Sequence, residues 1–104
     1  MIKFVYKICY FDEWKKFKKN KIYNGSKKDI SDGYIHFSNK NQIKSTLNKY
    51  FSKKDKLVLL KVNIKNLKNL IWEKSSGGKL FPHLYSLLTI KDVNSIYNIT
   101  FKKK

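Results

Sequence analysis

An α+β fold is predicted by three features of this 104-residue chain. Apolar and polar residues alternate, or apolar residues run together, in five or six strand-length stretches. Two stretches carry apolar residues at helical spacing, and both lie in the first half. There is no GxGxxG, no P-loop and too little chain for repeated βαβ units. A doubly wound nucleotide-binding fold is thereby excluded. What remains is one domain over residues 1–104, an antiparallel-rich sheet partly covered by two helices.

The elements follow in order. Phe4, Tyr6, Ile8 and Tyr10 alternate with Val5, Lys7 and Cys9, which predicts a strand. Asp12 offers a cap for a short helix with Trp14 and Phe17 on one face, running out near Asn20. Ile22 and Tyr23 precede NGSKKDISDG, read as a loop because it is dense in turn formers. Tyr34–Phe37 is a second strand. Ser38 or Asn39 caps a helix whose apolar face is Ile43, Leu47, Tyr50 and Phe51. Leu57–Ile64 opens as a continuous apolar run, the mark of a central strand. Leu70–Glu73 is a further strand, ended by SSGG. A helical turn is expected near Lys91–Val93. The last strand places Tyr97, Ile99 and Phe101 on one face.

The formal charge is +17. All 24 basic residues are lysine, and alanine is absent. Lys, Asn and Ile each have codons of A and T alone, so an AT-rich genome accounts for much of this composition. Readers of nucleic acid favour arginine, which grips phosphate and guanine with two parallel bonds. RNA is therefore a disfavoured partner, while the positive field would still attract phosphorylated small molecules. No apolar run reaches the length of a membrane span, and no signal peptide is read at the N-terminus. The lone Cys9 forms no internal disulfide. A cytoplasmic location is the expectation.

Two histidines mark the candidate site. In GYIHFS, alternation puts Tyr34, His36 and Ser38 on one face and Ile35 and Phe37 on the core face. His36 and Ser38 could hold a polar ligand, or Ser38 could serve only as a helix cap. In GGKLFPHLY, Pro82 lacks an N–H donor, so the stretch is not expected in the middle of a paired strand. Phe81, His83 and Tyr85 share a side, two rings flanking an imidazole, which suits a flat and partly polar ligand. The alternative is that the rings pack in the core. Glu73 is either a surface ion-pair partner or a carboxylate able to act beside the histidines. No residue spacing fits a zinc site, so no metal is expected.

The set DGYIHFS, LVLLKV and WEKSSGGKLFPHLY, in that order, resembles the small bacterial family called domain of unknown function 952. The resemblance spans Tyr6 to about Tyr97. Members resemble compact relatives of the ADP-ribosylation fold, shared by NAD-dependent ADP-ribosyltransferases and RNA 2′-phosphotransferases. This implies a split, curved antiparallel sheet with a cleft. It implies that His36 and Ser38 hold a ribose, that Phe81 or Tyr85 stacks on a nicotinamide, and that His83 lines the cleft. Glu73 is the acid that would stabilise an oxocarbenium-like transition state. NAD is the implied cofactor. Members often carry a histidine where this chain has Lys7, which could meet a phosphate. The resulting expectation is a nucleotide-like ligand, of NAD or ADP-ribose type, with His36 and Glu73 catalytic and Lys7, Ser38, Phe81, His83 and Tyr85 binding. The alternatives are a non-catalytic module for phosphorylated metabolites and an RNA-binding protein.

Overall fold

The computed structural model describes residues 2–75 and 77–99. β1 (Phe4–Tyr10) leads into α1 (Phe11–Asn20), then β2 (Ile22–Tyr23), α2 (Lys27–Asp32) and β3 (Ile35–His36). A 3-10 turn at Lys40–Gln42 opens α3 (Ile43–Tyr50). β4 (Leu57–Asn63), β5 (Leu70–Lys74), β6 (Leu80–Leu84), β7 (Leu88–Thr89) and β8 (Val93–Asn98) complete the chain. Every strand pair is antiparallel. One three-stranded sheet has the order β1-β4-β8, and a second has the order β3-β6-β5. The short β2-β7 ribbon stands apart. The class is α+β as expected, and β4 is central in its sheet.

Val5, Cys9, Val58, Leu60 and Val62 line one face of the first sheet and are sealed from solvent. Trp14 and Phe17 of α1 close over this core, and Phe17 stacks on Tyr23 with centroids 5.4 Å apart. Ile35 and Leu84, directly opposed, bring the inner face of the second sheet into the same cluster. Burial pushes the Cys9 thiol up to about 12, so it behaves as a core hydrophobe.

Several expectations need correction. α1 starts at Phe11, with Tyr10 rather than Asp12 at the cap, and the Tyr10 N–H donates to Glu13 Oε1 at 3.1 Å. NGSKKDISDG contains α2. Its one apolar residue, Ile30, is exposed, so no amphipathic period was there to read. What starts and stops this helix is local chemistry. The Asp29 N–H donates to Ser26 Oγ, the Ser26 N–H donates to Asp29 Oδ2, and Gly33 takes the left-handed cap at φ 87°. The described residues hold three helices and eight strands, against two and five or six expected. The surplus strands β2 and β7 have two residues each, too few to display alternation. Phe101 lies outside the described residues.

Pro82 also departs from expectation: it sits inside β6, the middle strand of its sheet. The missing donor does its work at the end of a ladder. Pro82 O accepts from the Phe37 N–H at 3.0 Å, so its nitrogen faces β3, where the return bond to Phe37 cannot form. The chain leaves β6 at that point. Ser38 then exchanges both backbone hydrogen bonds with Tyr6 of β1, each 2.8 Å. Pro82 thus ends one pairing where residues 35–38 switch sheets, and the two three-stranded sheets are joined there.

Candidate functional site

His36 and His83 are cross-strand partners in β3 and β6. Opposed residues in an antiparallel pair point to the same face. Their ring centroids lie 5.5 Å apart. The alternation that points Ile35 and Leu84 into the core turns both imidazoles to the other face of the sheet, where His36 is half-buried and His83 is buried beneath Tyr34. Tyr34, placed by the Gly33 cap, lies on the His83 ring at 4.1 Å and 27° and against His36 at 4.6 Å. Tyr85 stands 5.2 Å from Tyr34 and completes an aromatic cluster.

Behind His36 lies Asp29, buried at 1% exposure. Its Oδ1 accepts from His36 Nδ1 at 2.5 Å and from the His36 N–H at 3.2 Å. Its Oδ2 accepts from Lys7 Nζ at 2.7 Å and from the Ser26 N–H at 2.9 Å. Burial raises the Asp29 pKa, but hydrogen bonds from His36, Lys7 and Ser26, with the Lys7 charge, outweigh it and hold the carboxyl below its usual range. Asp32 Oδ2 lies 3.0 Å from the other His36 nitrogen, Nε2. On the second strand pair, Glu73 Oε1 accepts from Tyr85 Oη at 2.6 Å and faces His83 Nδ1 at 2.8 Å. The Tyr85 bond, then His83, lowers the Glu73 pKa, and the same contact pushes Tyr85 up to about 12.

The Asp29 carboxyl, with its depressed folded pKa, binds fewer protons in the folded state. Its stabilisation is complete above the unfolded value near 3.8 and is lost as pH falls below it. Urea unfolding followed by circular dichroism should show a midpoint that drops as pH is lowered from about 4 to about 2, and Asp29→Asn should flatten that slope. An equal slope in both proteins would refute the assignment.

Tyr34 and Tyr85 also line a depression of about 330 Å³, with Asn24, Ile30 and Leu87 on its other sides; of the expected site residues it contains Tyr85 alone, and the two histidines and Glu73 lie beyond its wall. A second depression of about 250 Å³ lies against Lys3, Phe4, Tyr6 and Lys40 and contains none of the expected site residues.

The fold brings His36, His83, Glu73 and Tyr85 together. Lys7, Ser38 and Phe81 are placed differently. Lys7 lies on the core face of β1 opposite Leu60, buried, its ammonium engaged by Asp29 behind the imidazole. Ser38 is buried, and its Oγ is 3.1 Å from Thr46 Oγ1 of α3, because its backbone has already joined β1. Phe81 shares the His83 face and opposes Glu73, half-buried at the edge of the cluster. Three contributors were not among the expected site residues: Tyr34, Asp29 and Asp32. The Ser26-x-x-Asp29 capping pattern was the signal that could have exposed Asp29.

The family described as "Protein of unknown function (DUF952)" matches residues 8–96. The chain belongs to this family. The DUF952 match includes Asp29, Tyr34, His36, Glu73, His83 and Tyr85 and starts one residue after Lys7. The crystal structure of CC0527 from Caulobacter crescentus is 37% identical, with a TM-score of 0.90 over 95% of this chain and 88% of that one. The solution NMR structure of CC0527 is 36% identical, with a TM-score of 0.85 over 97% and 88%. No curated protein matches the chain. No helix among the described residues of this DUF952 chain is long and apolar enough to cross a membrane.

Proposed function

We propose that the protein binds a nucleotide-like ligand, of the ADP-ribose or NAD type, at the Tyr34–His36–His83–Tyr85 cluster. The observation that carries this reading is the pair of facing imidazoles, each backed by a carboxylate, next to an aromatic-walled depression. His83 Nε2 and the Asp32 and Glu73 carboxylates are partners for sugar hydroxyls, while His36 anchors the wall between Asp29 and Asp32. Tyr34 and Tyr85 offer faces for a planar base. Phosphates are the business of the lysine field, which acts at longer range. A volume near 330 Å³ is at the low end for small-molecule sites, so it suits a ribosyl-base end and leaves the diphosphate at the surface.

The catalytic form of the proposal adds group transfer at the ribose, with the Glu73 carboxylate countering developing positive charge. Ser38 and Lys7 act from behind, through backbone pairing and through Asp29. Phe81 borders the site beside Glu73.

Isothermal titration tests the proposal. ADP-ribose and NAD should bind saturably, and His36→Ala should weaken binding at least about tenfold while the circular dichroism spectrum is retained. Equal affinity in His36→Ala would remove the histidine pair from the ligand site. A steep salt slope for short RNA, unchanged by His36→Ala, would favour the RNA reading instead.

A further inference from the structure

We infer that His83, through Nε2, takes the proton from a water attacking a ribosyl ligand, and that Glu73 positions His83 for this role. The inference rests on the ligand reading above and assigns the two imidazoles different tasks.

What each ring leaves free separates them. Both His36 nitrogens face carboxylates, Nδ1 at 2.5 Å from Asp29 Oδ1 and Nε2 at 3.0 Å from Asp32 Oδ2. Asp29 accepts from Nδ1, and the Asp32 carboxylate stands in front of Nε2, where a substrate would have to approach. In His83, Nδ1 faces Glu73 Oε1 at 2.8 Å, and no side chain among the described residues hydrogen-bonds Nε2. Tyr85 Oη holds that same Glu73 oxygen at 2.6 Å and keeps the carboxylate in place. An ionised Glu73 fixes the proton of neutral His83 on Nδ1 and leaves the lone pair on Nε2. His83 is 7% exposed, so a water reaches Nε2 only through a narrow opening beside Tyr34. Tyr34 stacks on the ring and restrains it. A carboxylate on one imidazole nitrogen and an open lone pair on the other is the arrangement that general-base catalysis uses.

The substrate class is an N-ribosyl compound whose base leaves as a stable neutral heterocycle. Water oxygen bonds to the anomeric carbon as the carbon–nitrogen bond breaks. The electron pair of that bond leaves with the base, and the proton of the attacking water goes to His83 Nε2. Glu73 touches His83 in this step and is a positioning residue there.

Two measurements decide the matter. Long-range nitrogen–proton NMR of the ligand-free protein should find neutral His83 protonated on Nδ1, and Glu73→Gln should weaken that preference. A neutral His83 carrying its proton on Nε2 overturns the inference. Nicotinamide release from NAD should fall at least about 100-fold in kcat for His83→Asn, with KM changed far less. Glu73→Gln should lower kcat and shift its pH profile, with Glu73→Asp recovering part of the rate. Unchanged kcat in His83→Asn overturns the inference. Wild-type protein that binds ADP-ribose but releases no nicotinamide overturns it too, while the binding reading stands. Protein that does neither removes both.

Discussion

Asp29→Ala is expected to destabilise the protein by about 3–5 kcal/mol, the range for removing one partner of a buried ion pair. For a chain of this size that lowers Tm by roughly 15–30 °C. Lys7 is 6% exposed and sits among core aliphatics, so its ammonium would be left in an apolar setting with no countercharge. The Ser26 N–H and both His36 donors would lose their acceptor as well. Lys7→Met should cost less, because Asp29 keeps those other donors. The double variant Lys7→Met, Asp29→Asn should recover at least half of the loss, since a buried pair is often replaceable by groups of similar volume. Thermal unfolding of the wild type, Lys7→Met, Asp29→Asn and the double variant gives the coupling. A loss below about 1 kcal/mol in Asp29→Ala would show that the ion pair is solvated and that Asp29 is not the hub.

Gly25→Ala is expected to be the next most damaging change, at about 2–4 kcal/mol. Two separate effects add. Gly25 has φ +116°, a conformation that L side chains rarely adopt, and a Cβ there would lie 2.5 Å from Asp29 Cβ. The neighbour cannot give way, because four hydrogen bonds pin the Asp29 carboxylate. Gly33→Ala is the control. Its φ is +87°, but an added Cβ meets nothing within 4 Å, so backbone strain alone should remain, near 1 kcal/mol. Similar Tm losses for both substitutions would mean that the Asp29 contact carries no weight. The Gly25 variant should also disturb His36, since it displaces the carboxylate that orients the ring.

The histidine pair was legible because period-two alternation fixes a face from sequence alone. It put His36 opposite to Ile35 and His83 on the side of Phe81 and Tyr85. Alternation fails where pairing changes. Ser38 has the right parity, yet one residue after the Phe37–Pro82 contact its backbone has joined β1, and its hydroxyl meets Thr46. Pro82 was read as excluding a central strand, when only one side of one ladder needed to end there. Asp29 and Asp32 lie on a helix of six residues, too short for periodicity to show. Lys7 was expected to meet a ligand phosphate, and it instead lies in the core. Its burial depends on a carboxylate 22 positions away, which no local pattern reveals.

Amide and imidazole NMR signals recorded during titration with ADP-ribose address the binding proposal without assuming catalysis. Saturable shifts should concentrate on Tyr34, His36, His83 and Tyr85 and on the neighbouring wall at Asn24 and Leu87, persisting at moderate salt. Shifts scattered over surface lysines and abolished by salt, or signals of the two histidines that never move, would contradict it.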